Sequence, residues 1–157
     1  MNPRVALQRL RVPIGGYRPR TSGGLGPDIT WVEVASALAQ VVESDGALLL
    51  RAKYGGLDDS LEPLREAVWR RVLRRRWRCR DRGTLRRFSE LALGEALELR
   101  EDASASDRAR ARAIQVDPAT WRETWKPRLE LMLEELDTLE YEALCTLRDQ
   151  LTELGPV

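Results

Sequence analysis

The chain has 157 residues, a length typical of one domain or of one small domain with an appendage, and it needs no metal or disulfide to fold. Its two cysteines exclude a disulfide framework and a zinc site built from cysteine pairs, and the lack of histidine excludes His ligands and a His general base. The 26 basic and 25 acidic residues nearly cancel, but eleven arginines fall within residues 65–87 and eight acids within 129–153, so the two regions offer different surfaces to partners.

Residues 1–28 are predicted to form a flexible basic arm, because proline and glycine recur too often there for a helix or strand. No apolar run approaches the roughly 18 residues that a transmembrane helix requires. No apolar segment follows the basic N-terminus as it would in a signal peptide. The expected location is therefore the cytoplasm, without a membrane partner.

Residues 29–99 are predicted to form a helical region that contains the arginine-rich segment. Apolar residues recur there at three- and four-residue spacing, and capping residues precede each run. A polar linker is expected at residues 100–106. The first predicted helix has Asp28 or Thr30 as its cap and ends near Glu43, and the second runs from Ala47 to Tyr54. The third runs from Leu61, with Ser60 as its cap, to about Arg78, and the fourth has Thr84 as its cap.

Residues 107–154 are predicted to form a helix-turn-helix followed by a long acidic amphipathic helix. Ser106 caps a helix to Ile114, residues 115–117 form a turn, and Asp117 caps the next helix with Pro118 in its first position. Pro127 either kinks this helix or starts a new one. No alternating strand pattern follows residue 28, so the sequence predicts an all-α fold: a compact helical domain with a helix-turn-helix, a long C-terminal helix and a basic arm.

The helix-turn-helix is supported by residue types at the positions where this unit needs them. Ala111 supplies the small residue where the helices cross, Ile114 and Val116 flank the turn, and Trp121 follows the cap. Gln115 occupies the turn position that often carries glycine. Because the start of the second helix enters the major groove in such units, we expect DNA contacts, with a plain helical corner as the alternative. The candidate DNA-binding residues are Arg108, Arg110, Arg112, Thr120, Arg122, Glu123 and Lys126.

The arginine-rich segment forms a candidate basic belt for nucleic acid or for an acidic protein such as a polymerase. Phosphate contacts need dense positive charge, and Trp77 adds a stacking surface. The alternative is a solvated helix face. The belt consists of Arg70, Arg71, Arg74, Arg75, Arg78, Arg82, Arg86 and Arg87.

The remaining features favour structure over chemistry. The apolar stripe of residues 129–153 indicates burial in the chain's own fold, with a homodimer coiled coil or a docking helix as alternatives. Trp31, Trp69, Trp121 and Trp125 are predicted in the core, and Cys79 and Cys145 as inert thiols. No catalytic group, cofactor motif or metal site is recognisable, so no enzyme activity is expected.

Two segments resemble the Q-type late-gene antitermination proteins of temperate bacteriophages. They are residues 48–54, followed by the arginine-rich helix, and residues 108–128, which contain the predicted helix-turn-helix. The resemblance covers about residues 30–150. Relatives carry paired Cys-x-x-Cys motifs between the two halves, whereas residues 99–106 contain no cysteine here, so the resemblance implies a zinc-free form.

The resemblance implies a phage late-gene transcription antiterminator. Such a protein binds double-stranded promoter DNA, loads onto bacterial RNA polymerase with its sigma factor, and lets the polymerase read through terminators. Nascent RNA is a further candidate partner of the basic belt. A helix-turn-helix repressor, a small-terminase-like DNA-packaging protein and a helical protein–protein adaptor would use the same parts, and these alternatives stay open at this point.

Overall fold

The computed structural model describes residues 44–55, 61–97 and 106–153. All regular structure in these ranges is helical, and they form five helices and no strand, which confirms the all-α prediction. None of the described helices combines the length and the apolar composition needed to cross a bilayer. The predicted arm at 1–28, the helix ending near Glu43, the Ser60 cap and the body of the predicted linker lie outside the described residues.

Helix α1 spans Asp45–Leu50 and continues as a π-helical turn over Arg51–Gly55. Ser44 is its N-cap, and its Oγ accepts a hydrogen bond from the Ala47 N–H at 3.1 Å. The prediction started this helix at Ala47 because serine, aspartate and glycine read as a break. The serine is instead the cap, since its side chain satisfies one of the free N–H groups of the first turn.

Helix α2 spans Leu61–Arg74 and helix α3 spans Arg82–Ala96, and here two predicted boundaries are wrong. Helix α2 ends four residues before Arg78, because Arg76 takes a left-handed conformation with φ 50°. The cap of α3 is Asp81 rather than Thr84, since the Asp81 carboxylate accepts from the N–H groups of Gly83 at 2.9 Å and Thr84 at 3.1 Å. Thr84 lies buried in the first turn.

Helix α4 spans Asp107–Ile114, with Ser106 as cap, as predicted. Helix α5 begins at Pro118–Thr120, passes through a π-helical turn at Trp121–Trp125, and continues over Lys126–Glu153. In the π turn the Lys126 N–H donates to the Trp121 carbonyl, five residues back. Pro127 follows directly, and because proline lacks an N–H and crowds the carbonyl four residues earlier, the wider turn accommodates it without ending the helix.

The chain divides into two compact units, and the division falls between Thr138 and Leu139 of α5. In the first unit, α1 packs against the second half of α5, and Leu49, Leu50, Leu144 and Leu147 are buried. The same unit contains a buried ion pair, in which Lys53 Nζ lies 3.2 Å from Glu140 Oε2. The second unit contains the rest of α2, all of α3 and α4, and the first half of α5. It holds both candidate sites.

Candidate nucleic-acid interface

The turn between α4 and α5 is closed by a residue in the left-handed conformation. Gln115 takes the left-handed conformation with φ 61° and ψ 46°, at the position that often carries glycine. The Val116 N–H donates to the Ala111 carbonyl at 3.0 Å and the Gln115 N–H donates to the Arg112 carbonyl at 3.1 Å. This is a Schellman-type ending, which closes α4 and turns the chain sharply toward α5.

Asp117 starts the second helix. One carboxylate oxygen accepts from the N–H groups of Ala119 at 3.0 Å and Thr120 at 2.9 Å, and the other accepts from the Thr120 hydroxyl at 2.5 Å. The bond from the Thr120 hydroxyl, with those from the backbone, lowers the pKa of Asp117 below its ordinary value. The cap is therefore charged at neutral pH and fixes where α5 begins.

Two tryptophans hold α5 against the rest of the second unit, as predicted. Trp121 is fully buried, and its Nε1–H donates to Asp107 Oδ1 on α4 at 3.1 Å. Trp125 is buried one helical turn later, with its ring centroid 5.1 Å from that of Phe88 on α3. Ala111 and Ile114 of α4 are also buried. The small and apolar residues that were predicted to lie between the two helices are therefore buried.

Three arginines of α4 and the start of α5 are among the residues that face solvent. Arg122 Nε donates only to the Pro118 carbonyl at 3.2 Å, which leaves the rest of its guanidinium exposed. Arg108 and Arg112 pair with no carboxylate of the described residues. Arginine side chains in this position can contact guanine edges and phosphates. The exposed residues include Arg108, Arg112, Ala119, Arg122 and Glu123.

Three other candidate DNA-binding residues have partners within the protein. Arg110 binds Glu95 of α3 with Nε and Nη2 at 2.8 and 3.1 Å, and this bond raises the pKa of Arg110. Lys126 was expected to point outward, but its Nζ lies 3.1 Å from Asp107 Oδ2. The hydroxyl of Thr120 belongs to the Asp117 cap. Sequence spacing gives the face of a helix but not the partner a long side chain finds across it.

The predicted basic belt is divided between structural and exposed arginines. Arg71 and Arg75 of α2 hold Glu135 of α5 at 2.7 and 2.5 Å. Partial burial acts to raise the pKa of Glu135, but the hydrogen bonds from Arg75 and Arg71 outweigh it and hold that pKa below its ordinary value. These two arginines therefore join α2 to α5 within the second unit.

Arg86 and Arg87 of α3 also have internal partners. Arg86 pairs with Glu66 of α2 at 3.0 Å and lies 5.0 Å above the half-buried ring of Trp69. Arg87 Nη2 pairs with Asp81 at 3.1 Å, and its Nε donates to the Ile114 carbonyl at the end of α4. Four of the eight predicted belt residues thus stabilise the fold. The other four, Arg70, Arg74, Arg78 and Arg82, are exposed.

Arg128, which the sequence analysis did not identify as a site residue, contacts the connection between α2 and α3. The Arg128 guanidinium stacks 4.7 Å from the Trp125 ring and 5.4 Å from the Trp77 ring, and Nη2 donates to the Arg78 carbonyl at 3.5 Å. Trp77 packs edge-on against Phe88 at 5.5 Å, so its ring is half-buried rather than a free stacking surface. The three-residue spacing of Trp125 and Arg128 on one helix could have indicated this contact.

Residues that commonly hold metals do not cluster in the described part of the chain, where no group of three such side chains occurs. Cys79 and Cys145 are free, half-buried thiols. Cys79 Sγ donates to the Asp81 carbonyl at 3.1 Å, which ties the connection between α2 and α3 to the start of α3.

Comparison with known protein families, with curated proteins and with solved structures finds no match to this chain. Inference about function therefore starts from the geometry of the site and from the sequence motifs.

Proposed function

We propose that this protein is a DNA-binding late-gene transcription antiterminator of the phage Q type. In this proposal α5 enters the major groove of a promoter element, and the protein then loads onto bacterial RNA polymerase and its sigma factor. The antitermination step is proposed from the sequence resemblance. The DNA-binding step has independent support from the geometry of the second unit.

The observation that carries the DNA-binding step is the combination of a fixed turn and outward arginines. Gln115 and Asp117 set the turn and the start of α5, and Trp121 fixes the rotation of α5 about its axis. That rotation leaves Arg122 exposed near the N-terminal end of α5, where helix-turn-helix proteins contact bases. Arg108 and Arg112 on α4 are exposed as well, where phosphate contacts are usual.

An acidic surface on α5 supports a protein partner. Glu130 and Glu134 are exposed, and Leu131 between them is 45% exposed. An apolar side chain flanked by carboxylates is suited to a basic protein surface and unsuited to nucleic acid. The second unit therefore offers one end to DNA and another helix surface to a protein such as the polymerase.

A read-through assay tests the proposal. Purified polymerase would transcribe a template that carries the late promoter region of the encoding genome and a downstream terminator, with and without the protein. We expect read-through only on this template, and its loss with Arg122→Ala. A template with an unrelated promoter is the matched control.

Other outcomes would select another function. Specific DNA binding without read-through would favour a repressor or a small-terminase-like packaging protein. The absence of both binding and read-through would favour a protein–protein adaptor.

A further inference from the structure

We propose that the connection between α2 and α3, residues 75–81, binds the DNA phosphate strand that borders the groove entered by α5. This inference rests on the proposed DNA binding and assigns a second, sequence-independent contact to it. It separates the exposed arginines of the basic belt from those that stabilise the fold. It also includes Arg76 and Arg80, which lie in the same arginine-rich segment.

Apart from Arg71 and Arg75, which pair with Glu135, the arginines of the connection and of the end of α2 form no ion pair with a described carboxylate. The nearby acids have other partners: Glu135 binds Arg71 and Arg75, and Asp81 caps α3 and pairs with Arg87. A compact run of cations without counterions is a surface for an anion. The exposed arginines that form no ion pair with a described residue are Arg74, Arg76, Arg78 and Arg80.

The backbone at Arg76 points to a function for its side chain. Its φ of 50° is a left-handed conformation, which glycine adopts without strain and arginine adopts at a loss of stability. The Arg76 N–H donates to the Leu73 carbonyl at 3.1 Å, so this conformation is part of the helix ending. An exposed arginine at a position that suits glycine does not add to the stability of the fold. A bound anion would account for an arginine at this position.

Contacts with Arg128 join the connection to the first half of α5. Arg128 donates to the Arg78 carbonyl and stacks on Trp77, and no described carboxylate pairs with it. Arg128 lies six residues after Arg122, which is about 9 Å along the helix axis. The major groove is about 12 Å wide. A helix that inserts Arg122 into the groove therefore brings the connection close to a bordering strand.

Duplex DNA is the occupant that these observations favour. Planar guanidinium groups match phosphate oxygens in two-point hydrogen bonds. The exposed arginines lie outside the helix that is proposed to read the bases. Their contact with phosphates therefore adds affinity without sequence preference. An acidic protein or a single-stranded RNA on the same surface is an outcome of the test.

The first test compares two triple variants of the full chain. Arg76→Ala/Arg78→Ala/Arg80→Ala removes the charges, and Arg76→Lys/Arg78→Lys/Arg80→Lys retains them as a matched control. Affinity for duplex DNA is measured over a series of salt concentrations, on a selected site and on an unrelated duplex, and affinities for single-stranded RNA and for RNA polymerase are measured alongside. Each lost phosphate contact flattens the slope of log affinity against log salt by about 0.9. For the alanine variant we therefore expect the slope to flatten by about 2.7 on both duplexes. The lysine variant should keep most of the slope.

The second test uses the strained backbone and separates stability from binding. Arg76→Gly should raise the melting temperature by about 2–4 °C because the strain is relieved. It should also flatten the salt slope by about 0.9 because one phosphate contact is lost. Gln115→Gly relieves the same strain at an uncharged residue, so its melting temperature alone serves as the reference for the stability effect.

The outcomes distinguish this inference from the proposed function. An unchanged slope in the alanine variant on both duplexes, with the fold intact, would overturn the phosphate contact, as would a loss of affinity for RNA alone or for polymerase alone. The proposed function fails separately, if Arg122→Ala leaves the preference for the selected site over the unrelated duplex unchanged. A flattened slope on the unrelated duplex would still support the contact in that case.

Discussion

The carboxylate of Asp107 accepts the indole N–H of Trp121 at 3.1 Å, and this bond joins the first turn of α4 to the fully buried ring of α5. The second oxygen of the same carboxylate binds Lys126 Nζ at 3.1 Å. One side chain of α4 therefore holds two residues of α5. Because they lie five residues apart across the π turn, the bonds fix both the rotation and the position of α5.

We expect Trp121→Ala to unfold the second unit under conditions in which the wild type is folded. Truncating a buried tryptophan costs about 3–5 kcal/mol, a large part of the roughly 5–15 kcal/mol that stabilises a typical domain. Urea unfolding followed by circular dichroism measures the loss. DNA binding should disappear with the fold.

Trp121→Phe is the control for the hydrogen bond. Phenylalanine keeps most of the buried apolar volume and lacks the N–H, so the loss should be smaller than for alanine. A Trp121→Ala protein with an unchanged melting temperature and no DNA binding would instead mean that the ring is exposed in solution. The rotation of α5 and its set of groove-facing residues would then be wrong.

Acid should weaken the second unit through three aspartates. The pKa of Asp107 is lowered by its hydrogen bonds from Trp121 and Lys126, that of Asp117 chiefly by the Thr120 hydroxyl, and that of Asp81 chiefly by the Thr84 hydroxyl. Each folded pKa lies below the ordinary value of 3.8. Their stabilisation is therefore complete well above pH 3.8 and is lost as the pH falls below 3.8 through the folded pKa values.

Asp117→Asn isolates one of these carboxylates. Asparagine is as good an N-cap as aspartate and does not titrate, so the variant should be nearly as stable as the wild type at pH 7. Below about pH 4 its unfolding midpoint in urea should fall less steeply than that of the wild type. Parallel pH profiles for the two proteins would show that Asp117 has no lowered pKa.

The local signals in the sequence predicted the boundaries of α4 and the start of α5 well, because caps and turns depend on neighbouring residues. Ser106, Asp117 and Pro118 mark boundaries that the structure confirms. The sequence could not give the partners of long side chains. Arg71 and Glu135 are 64 residues apart in the chain, and only the packing of α2 on α5 brings them together. The basic belt was therefore predicted as one cationic surface, although four of its eight arginines pair with carboxylates of the described residues.

Gly46 permits the close approach of α1 to the second half of α5. A Cβ atom at this position would lie 2.6 Å from the Leu139 carbonyl oxygen and 2.9 Å from the Ala143 Cβ. We expect Gly46→Ala to destabilise the first unit by about 1–3 kcal/mol, since the helices must move apart. Thermal unfolding measures the change.

Gly94→Ala is the matched control on α3. A Cβ atom there meets no atom within 4 Å, and alanine favours a helix interior over glycine by about 0.5–1 kcal/mol. This substitution should therefore raise the melting temperature. If both alanine substitutions stabilise the protein, α1 and α5 are not in close contact in solution.

Arg122 and Lys126 lie one helical turn apart, but their substitutions should have different consequences. Arg122→Ala removes an exposed side chain, so the melting temperature should stay constant while affinity for the specific site falls by about 1–3 kcal/mol if it contacts a base. Lys126→Ala removes a partner of Asp107, so it should lower the stability of the second unit more than Arg122→Ala does. Its effect on affinity should be smaller once the folded fraction is taken into account.

A double-mutant cycle between Lys126→Ala and Asp107→Asn, measured by urea unfolding, tests whether Lys126 and Asp107 are partners, because coupled residues give a non-additive change in stability. Additive losses in that cycle, together with a specific loss of DNA affinity for Lys126→Ala, would return Lys126 to the DNA-binding surface.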